Sequence, residues 1–173
     1  MRERWTADLV DLGEPARLTQ AFLHRPEEGS IGDCFRTAVA SLLRERRPED
    51  VPHFVELTMG ATRNPGYAQL AIARCWLRHT YDLDMMAVAL DAAIGYGVPY
   101  ILSVHSKSGP WKHVVIARGA DVIHDPSGVG GYTLADVSDR DLAVADVICR
   151  RYEPGPAEML REWGALDPDE VDA

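Results

Sequence analysis

The sequence predicts an α+β fold, and three observations carry that prediction. Apolar residues recur at helical spacing in the first half of the chain and at strand spacing in the second. The two best strand patterns are joined by a short glycine-containing turn, as in an antiparallel hairpin. Met1–Leu12 has no dominant period and suits an arm, a short helix or a strand. Leu18–Leu23 reads as extended, and Arg25–Asp33 as a polar loop rich in turn formers. The strongest helix follows. Phe35, Ala38, Val39, Leu42 and Leu43 fall at offsets 0, 3, 4, 7 and 8, one apolar stripe of a 3.6-residue period. Asp33 is expected to cap its N-terminus, Pro48 to close the region, and Arg44–Arg47 to suit the negative end of the helix dipole.

Tyr67–Thr80 predicts a second helix, with Leu70, Ala73, Trp76 and Leu77 on one face. Residues 84–89 read as a strand, and Leu90–Tyr96 as a short helix or turn stopped by Gly97. Tyr100–His105, His113–Ala117, Asp121–Asp125 and Val144–Tyr152 read as strands, with Arg118–Ala120 as the turn between the middle pair. Ala157–Trp163 suits a last helix. Residues 165–173 form an acidic tail beyond a single domain over 1–164. The sheet is therefore expected to have four or five antiparallel strands, with the first helix packed on it.

Composition narrows the function. A chain of 173 residues can bury a core without disulfides, and 46% apolar with 26% charged residues is a globular balance. A net charge of −9 argues against non-specific binding to nucleic acid or an anionic membrane, and leaves room for cationic peptide substrates. Two lysines stand against sixteen arginines. Cys34, Cys75 and Cys149 are too few for a disulfide framework and form no Cys-x-x-Cys pair. His24, His53, His105 and His124 lack metal-ligand spacing, so neither a metal nor another cofactor is expected. No signal peptide is visible and no apolar run approaches the ~20 residues that span a bilayer. A reducing cytoplasm is the expected compartment, where a free thiol survives.

Cys34 stands at the first turn of the strongest helix. Backbone N–H groups and the helix dipole stabilise a thiolate placed there, and the same N–H groups can serve an oxyanion formed beside the sulfur. Such a nucleophile needs a base, and the base an orienting acid. His113 opens one strand of the hairpin and Asp125 ends the next, with eleven residues between them. That spacing can bring the two together at one edge, facing the helix. Asp33 is better read as a helix cap than as an acid. His124, beside Asp125, points to the opposite face if the strand alternates. His53 suits a turn better than the cleft lining, His105 a cleft rim, Trp111 a shield for the imidazole, a cover for substrate or ordinary packing, and Gly128, Gly130, Gly131 and Tyr132 a flexible loop.

Gly32-Asp33-Cys34-Phe35-Arg36-Thr37-Ala38, then His113-Val-Val-Ile-Ala117 and His124-Asp125-Pro126, resemble the papain-like cysteine peptidase superfamily. The resemblance is nearest to its compact branch, with the bacteriocin leader peptidases and transglutaminase-like proteins. The stretch from Asp33 to Leu43 with Val51-Pro-His-Phe54 is similar to small bacteriophage proteins. The resemblance implies a papain-like layout, with Cys34 as nucleophile, His113 as general base and Asp125 as the acid that holds the imidazole. The family usually places a glutamine five or six residues before the cysteine to complete the oxyanion hole. Here those positions hold Glu28 and Gly29, so the hole is expected to use the Cys34 N–H with a donor from Gly29–Asp33, and Trp111 to shield the imidazole or cover substrate.

The expected function is hydrolysis of a peptide, isopeptide or side-chain amide through a Cys34 thioester. Peptidase, deamidase and transglutaminase chemistry share that intermediate and stay open. The rivals are a catalytically inactive binding protein that keeps the cleft for a partner, and a structural protein in which Cys34 is core.

Overall fold

The computed structural model describes residues 8–24, 30–58, 65–137 and 144–150. The expected C-terminal helix and acidic tail, most of the N-terminal arm, Glu28 and Gly29 lie outside the described residues. The elements in order are α1 (Cys34–Leu43), a 3-10 turn (Pro48–Asp50), α2 (Phe54–Thr58), α3 (Pro65–Tyr81), β1 (Leu83–Ala89), α4 (Leu90–Tyr96), β2 (Tyr100–His105), β3 (Lys112–Arg118), β4 (Asp121–His124), a second 3-10 turn (Leu134–Asp136) and β5 (Val144–Arg150). Among the described residues the sheet has five strands in the order β1-β5-β2-β3-β4, every neighbour antiparallel. The α+β class is thus observed, with one helix, α2, that the sequence pattern had not separated.

The sheet is covered on both faces, which explains why β2 and β3 read as nearly continuous apolar runs rather than as alternating ones. One face carries Met85, Ile101, Val114, Ile116 and Ile148 against Phe35, Ala38, Val39 and Leu42 of α1, Phe54 of α2, and Ala73 and Leu77 of α3. The other carries Tyr100, Leu102, Val104, Val115, Ala117, Ala145 and Val147 against Ala93 of α4, Tyr132 and Val137. Edge-to-face contacts chain Phe35 to Phe54 (5.8 Å), Phe54 to Trp76 (5.8 Å) and Trp76 to Tyr81 (5.3 Å), locking the first three helices to one another.

Two local expectations are corrected. Asp33 occupies the N-cap position of α1, but its side chain makes no capping bond. Its carboxylate instead pairs with Arg36 (2.6 Å) and accepts from the N–H groups of Phe22 (3.0 Å) and Ala21 (3.3 Å), because a buried charge is better neutralised by a guanidinium than by one amide. The arginines from Arg44 onward lie past the last helical turn. Arg44 itself is the left-handed C-cap (φ 60°), and its N–H returns to the carbonyls of Ala40 and Ser41. Leu18–Leu23 belongs to no strand of the sheet.

β4 carries the fold's most consequential irregularity. Arg118 faces Asp121 and Ala117 faces Val122, but Ile116 faces His124, so Ile123 is an extra residue. A bulge of this kind shifts every later residue to the other face. Continued in the bulged register, Asp125 falls opposite Val115 and so on the face of His113, two residues along β3.

A buried carboxylate also fixes the outer edge of the sheet. Asp84 in β1 accepts from Nε of Arg74 (2.9 Å) and Nε of Arg78 (3.0 Å) on α3 and from the Met85 N–H (2.8 Å). Burial favours its neutral form, but the two guanidinium groups outweigh that and hold its carboxyl below the ordinary range. Its stabilising effect is therefore present above the unfolded value of ~3.9 and is lost as pH falls through the folded one. Asp84→Asn should lower unfolding free energy at neutral pH by about 2 kcal/mol, half-exposed arginines being able to rehydrate. Urea unfolding at several pH values should show the gap to wild type closing below pH ~4.

Candidate active site

Three elements meet at one end of the sheet. Because β4 pairs with β3 only from Ile116 onward, the β3 segment around His113 is left beside the N-terminus of α1, which packs against β3. Cys34 opens that helix and is partly buried. His113 Nε2 donates to Asp125 Oδ1 at 2.7 Å, both side chains being more than nine-tenths buried. Nδ1 is then the ring nitrogen left for Cys34, which lines the same slot as His113 and helps to raise its imidazole. The structure therefore brings Cys34, His113 and Asp125 together in the order the sequence predicts.

Asp125 is clamped from several directions. Its Oδ1 accepts from the Ser127 N–H (2.9 Å), its Oδ2 from the Gly130 N–H (2.7 Å), and both oxygens from Ser127 Oγ (2.8 Å). Gly130 has φ +73°, a conformation glycine adopts without strain, and this aims its N–H back at the acid. The loop that follows the acid thus holds it through these bonds. Tyr132 lies tilted against the imidazole at 5.3 Å and accepts through its hydroxyl from the Lys107 N–H (3.0 Å).

The charges follow from this geometry. Burial opposes protonation of His113, but Asp125 and then Cys34 outweigh it and raise the imidazolium to about 9. Burial would likewise raise Asp125, yet His113, the Gly130 N–H and Ser127 hold it far below the usual carboxylate range. His124 takes no part. Its ring is buried, donates from Nε2 to the Leu18 carbonyl (2.8 Å), and is kept neutral by burial.

Cys34 and His113 line a slot of about 110 Å³ with Gln20, Leu23, His24, Gly32, Ser106, Ser108, Trp111, Lys112, Ser127, Val129 and Tyr132. Trp111 is one wall of this slot. Its indole meets His24 edge-on at 5.2 Å and lies over Gly109, where an added Cβ would fall 2.0 Å from the ring. Asp33 is not in the wall. It is 1% exposed, and its N–H donates to the Phe22 carbonyl (3.2 Å), so it offers nothing to an oxyanion. His53 accepts the Glu56 N–H (3.3 Å) at the start of α2, a turn role. His105 is exposed at the end of β2.

Gln20 is the residue that sequence reasoning missed. It stands fourteen positions before Cys34, with the loop 25–33 between, so the short spacing of the papain-like pattern could not find it. Its Nε2 gives one hydrogen to the Phe22 carbonyl (3.0 Å) and has a second, while its Oε1 is buried without a partner. Its backbone N–H donates to the Pro126 carbonyl (2.8 Å), tying this wall to the Asp125 loop.

Among the described residues, no cluster of three or more His, Cys, Asp or Glu is placed to hold a metal, and no helix is long and apolar enough to cross a membrane. The chain matches no family model, no curated protein and no solved structure.

A residue with its acid raised to about 9 stays protonated across neutral pH. The His113–Asp125 pair should stabilise the fold fully below the ordinary histidine value of ~6.5 and lose that effect as pH rises through about 9. An NMR titration of the His113 ring should give that midpoint, and Asp125→Asn should lower it by roughly one unit or more. An unchanged midpoint in the variant would remove Asp125 as the cause.

Proposed function

We propose that the protein is a cysteine hydrolase of papain-like layout that acts on an amide carbonyl, with Cys34 as nucleophile, His113 as base then acid, and Asp125 as the group that orients the ring. The observation that carries this is the 2.7 Å bond from His113 Nε2 to a clamped Asp125, with Cys34, at a helix N-terminus, lining the same slot as the imidazole. Carboxylate, imidazole and thiol in this order form the relay that nucleophilic acyl transfer requires.

In this mechanism Cys34 Sγ attacks the carbonyl carbon while the imidazolium delivers its proton to the departing nitrogen. Water then attacks the thioester as His113 accepts its proton, and the C–S bond breaks. The oxyanion is met by the second Nε2 hydrogen of Gln20 and the Cys34 N–H, the first-turn amides having no partner within the helix. Asp125 never leaves its clamp. It keeps Nε2–H donated and Nδ1 turned to sulfur. A peptide or protein substrate in a reducing cytoplasm, in a bacterial host if the phage resemblance holds, suits an enzyme that depends on a free thiol.

One observation favours the second possibility, an inactive binding protein: Gln20 is already engaged by Phe22 and would have only half its donor capacity to give. Alkylation separates the two. Iodoacetamide labelling at neutral pH, read thiol by thiol by mass spectrometry, should modify Cys34 at least ~10-fold faster than exposed Cys75, and His113→Ala should abolish that advantage. Cys149, which burial pushes up to about 11, should be slowest. Cys34 and Cys75 reacting alike, with no effect of the variant, would overturn the hydrolase assignment.

A further inference from the structure

The two walls of the slot cross twice. At one end the segment carrying Gln20 is joined to the Asp125 loop, through Gln20 N–H to Pro126 O (2.8 Å) and His124 to Leu18 O (2.8 Å). At the other, His24 meets Trp111 edge-on at 5.2 Å, and Gly109 beneath the indole leaves it room to lie there. Cys34 and His113 line the slot between these two junctions together with Gln20, His24 and Trp111.

Size and shape then select the substrate. At about 110 Å³ the slot is well below the roughly 300 Å³ at which small-molecule sites begin. It is smaller than the cavity on the order of 150 Å³ that holds a benzene. A scissile backbone bond carries chain on both sides, at up to ~3.5 Å per residue, and needs a groove open at both ends. A primary carboxamide carries chain on one side only, and its leaving group is ammonia. The described lining holds hydroxyls, an amide, imidazoles and the Lys112 ammonium but no carboxylate, so it offers hydrogen-bond partners to a carboxamide and gives a substrate ammonium group no ion-pair partner. Leu23 and Val129 are exposed at the walls, so the polypeptide bearing the amide stays outside and a long side chain has to reach in.

We propose that this slot admits the side-chain carboxamide of glutamine end-on, which makes the protein a protein-glutamine deamidase. The proposal rests on the hydrolase assignment above. Cys34 Sγ bonds to the δ-carbon, the carbonyl carbon of the carboxamide, the C–N bond breaks, and nitrogen leaves as ammonia with the proton from His113. Water then cleaves the thioester to leave glutamate and the free thiol. The sum is amide plus water to carboxylate plus ammonium, with no redox partner.

The test uses N-acetyl-glutamine N-methylamide, whose only primary amide is the side chain, beside a fluorogenic library of internally quenched peptides. The wild-type chain is expected to release ammonia from the first with kcat/KM at least roughly ten-fold above any library cleavage, and Cys34→Ala to abolish it. Trp111→Ala, which opens one end, should raise backbone cleavage and shrink that preference roughly ten-fold, with its folding checked by circular dichroism. Backbone cleavage by the wild type at an equal or higher rate overturns the slot proposal and leaves the hydrolase standing. Absence of ammonia release also overturns it, and the Cys34 alkylation profile then tells whether the hydrolase assignment falls too: a His113-dependent rate keeps it, an ordinary rate does not.

Discussion

The cleft is organised around one buried negative charge. Asp125 cannot remain ionised in a half-apolar loop unless its oxygens are filled, and a single side chain could not fill them. Ser127, Gly130 and His113 do so from three directions. In satisfying itself the carboxylate fixes three other things: the fold of loop 125–132, the rotation of the imidazole, and the nitrogen that meets sulfur. Tyr132, at the end of the same loop, then closes against the ring it helps to hold.

Asp33 repeats the strategy behind the opposite wall. It lies next to Cys34 in sequence, yet its carboxylate ties Phe22, Ala21 and Arg36 into one unit. The segment that carries Gln20 is thereby positioned by a buried ion pair instead of a sheet ladder, which suits a short loop that has no strand partner. The guanidinium of Arg36 also sits 5.9 Å over the Phe22 ring, so this aromatic is held although half of it faces solvent.

Much of this was legible in the sequence, and the parts that were not share a physical cause. The stripe from Phe35 to Leu43 and the strands around His113 are local, periodic signals, and they emerged close to their observed bounds. Cys34, His113 and Asp125 were legible because their chemistry is distinctive and because a hairpin limits where its ends can go. The bulge at Ile123 was not: a strand of four residues shows no alternation long enough to reveal a skipped one. Gln20 was hidden for a different reason. Its place beside Cys34 depends on contacts to Pro126 and Phe22, which no spacing along the chain encodes. Asp33 misled because the residue type that caps a helix is also the one that binds a buried arginine.

The joining of Leu18 to His124 spans 106 positions, and that has a bearing on how the protein is made. A ribosome delivers Cys34 early, at the head of a helix that can form by itself. His113, Asp125 and the far anchor of the Gln20 wall emerge only with β3, β4 and the loop that follows. Closing so long a loop is slow compared with forming a helix. A nascent or truncated chain therefore carries a thiol without its partners, and the complete set is assembled only when the two ends of the domain meet. Vectorial synthesis by itself delays the meeting of Cys34, His113 and Asp125 until β4 and the loop after it have been made.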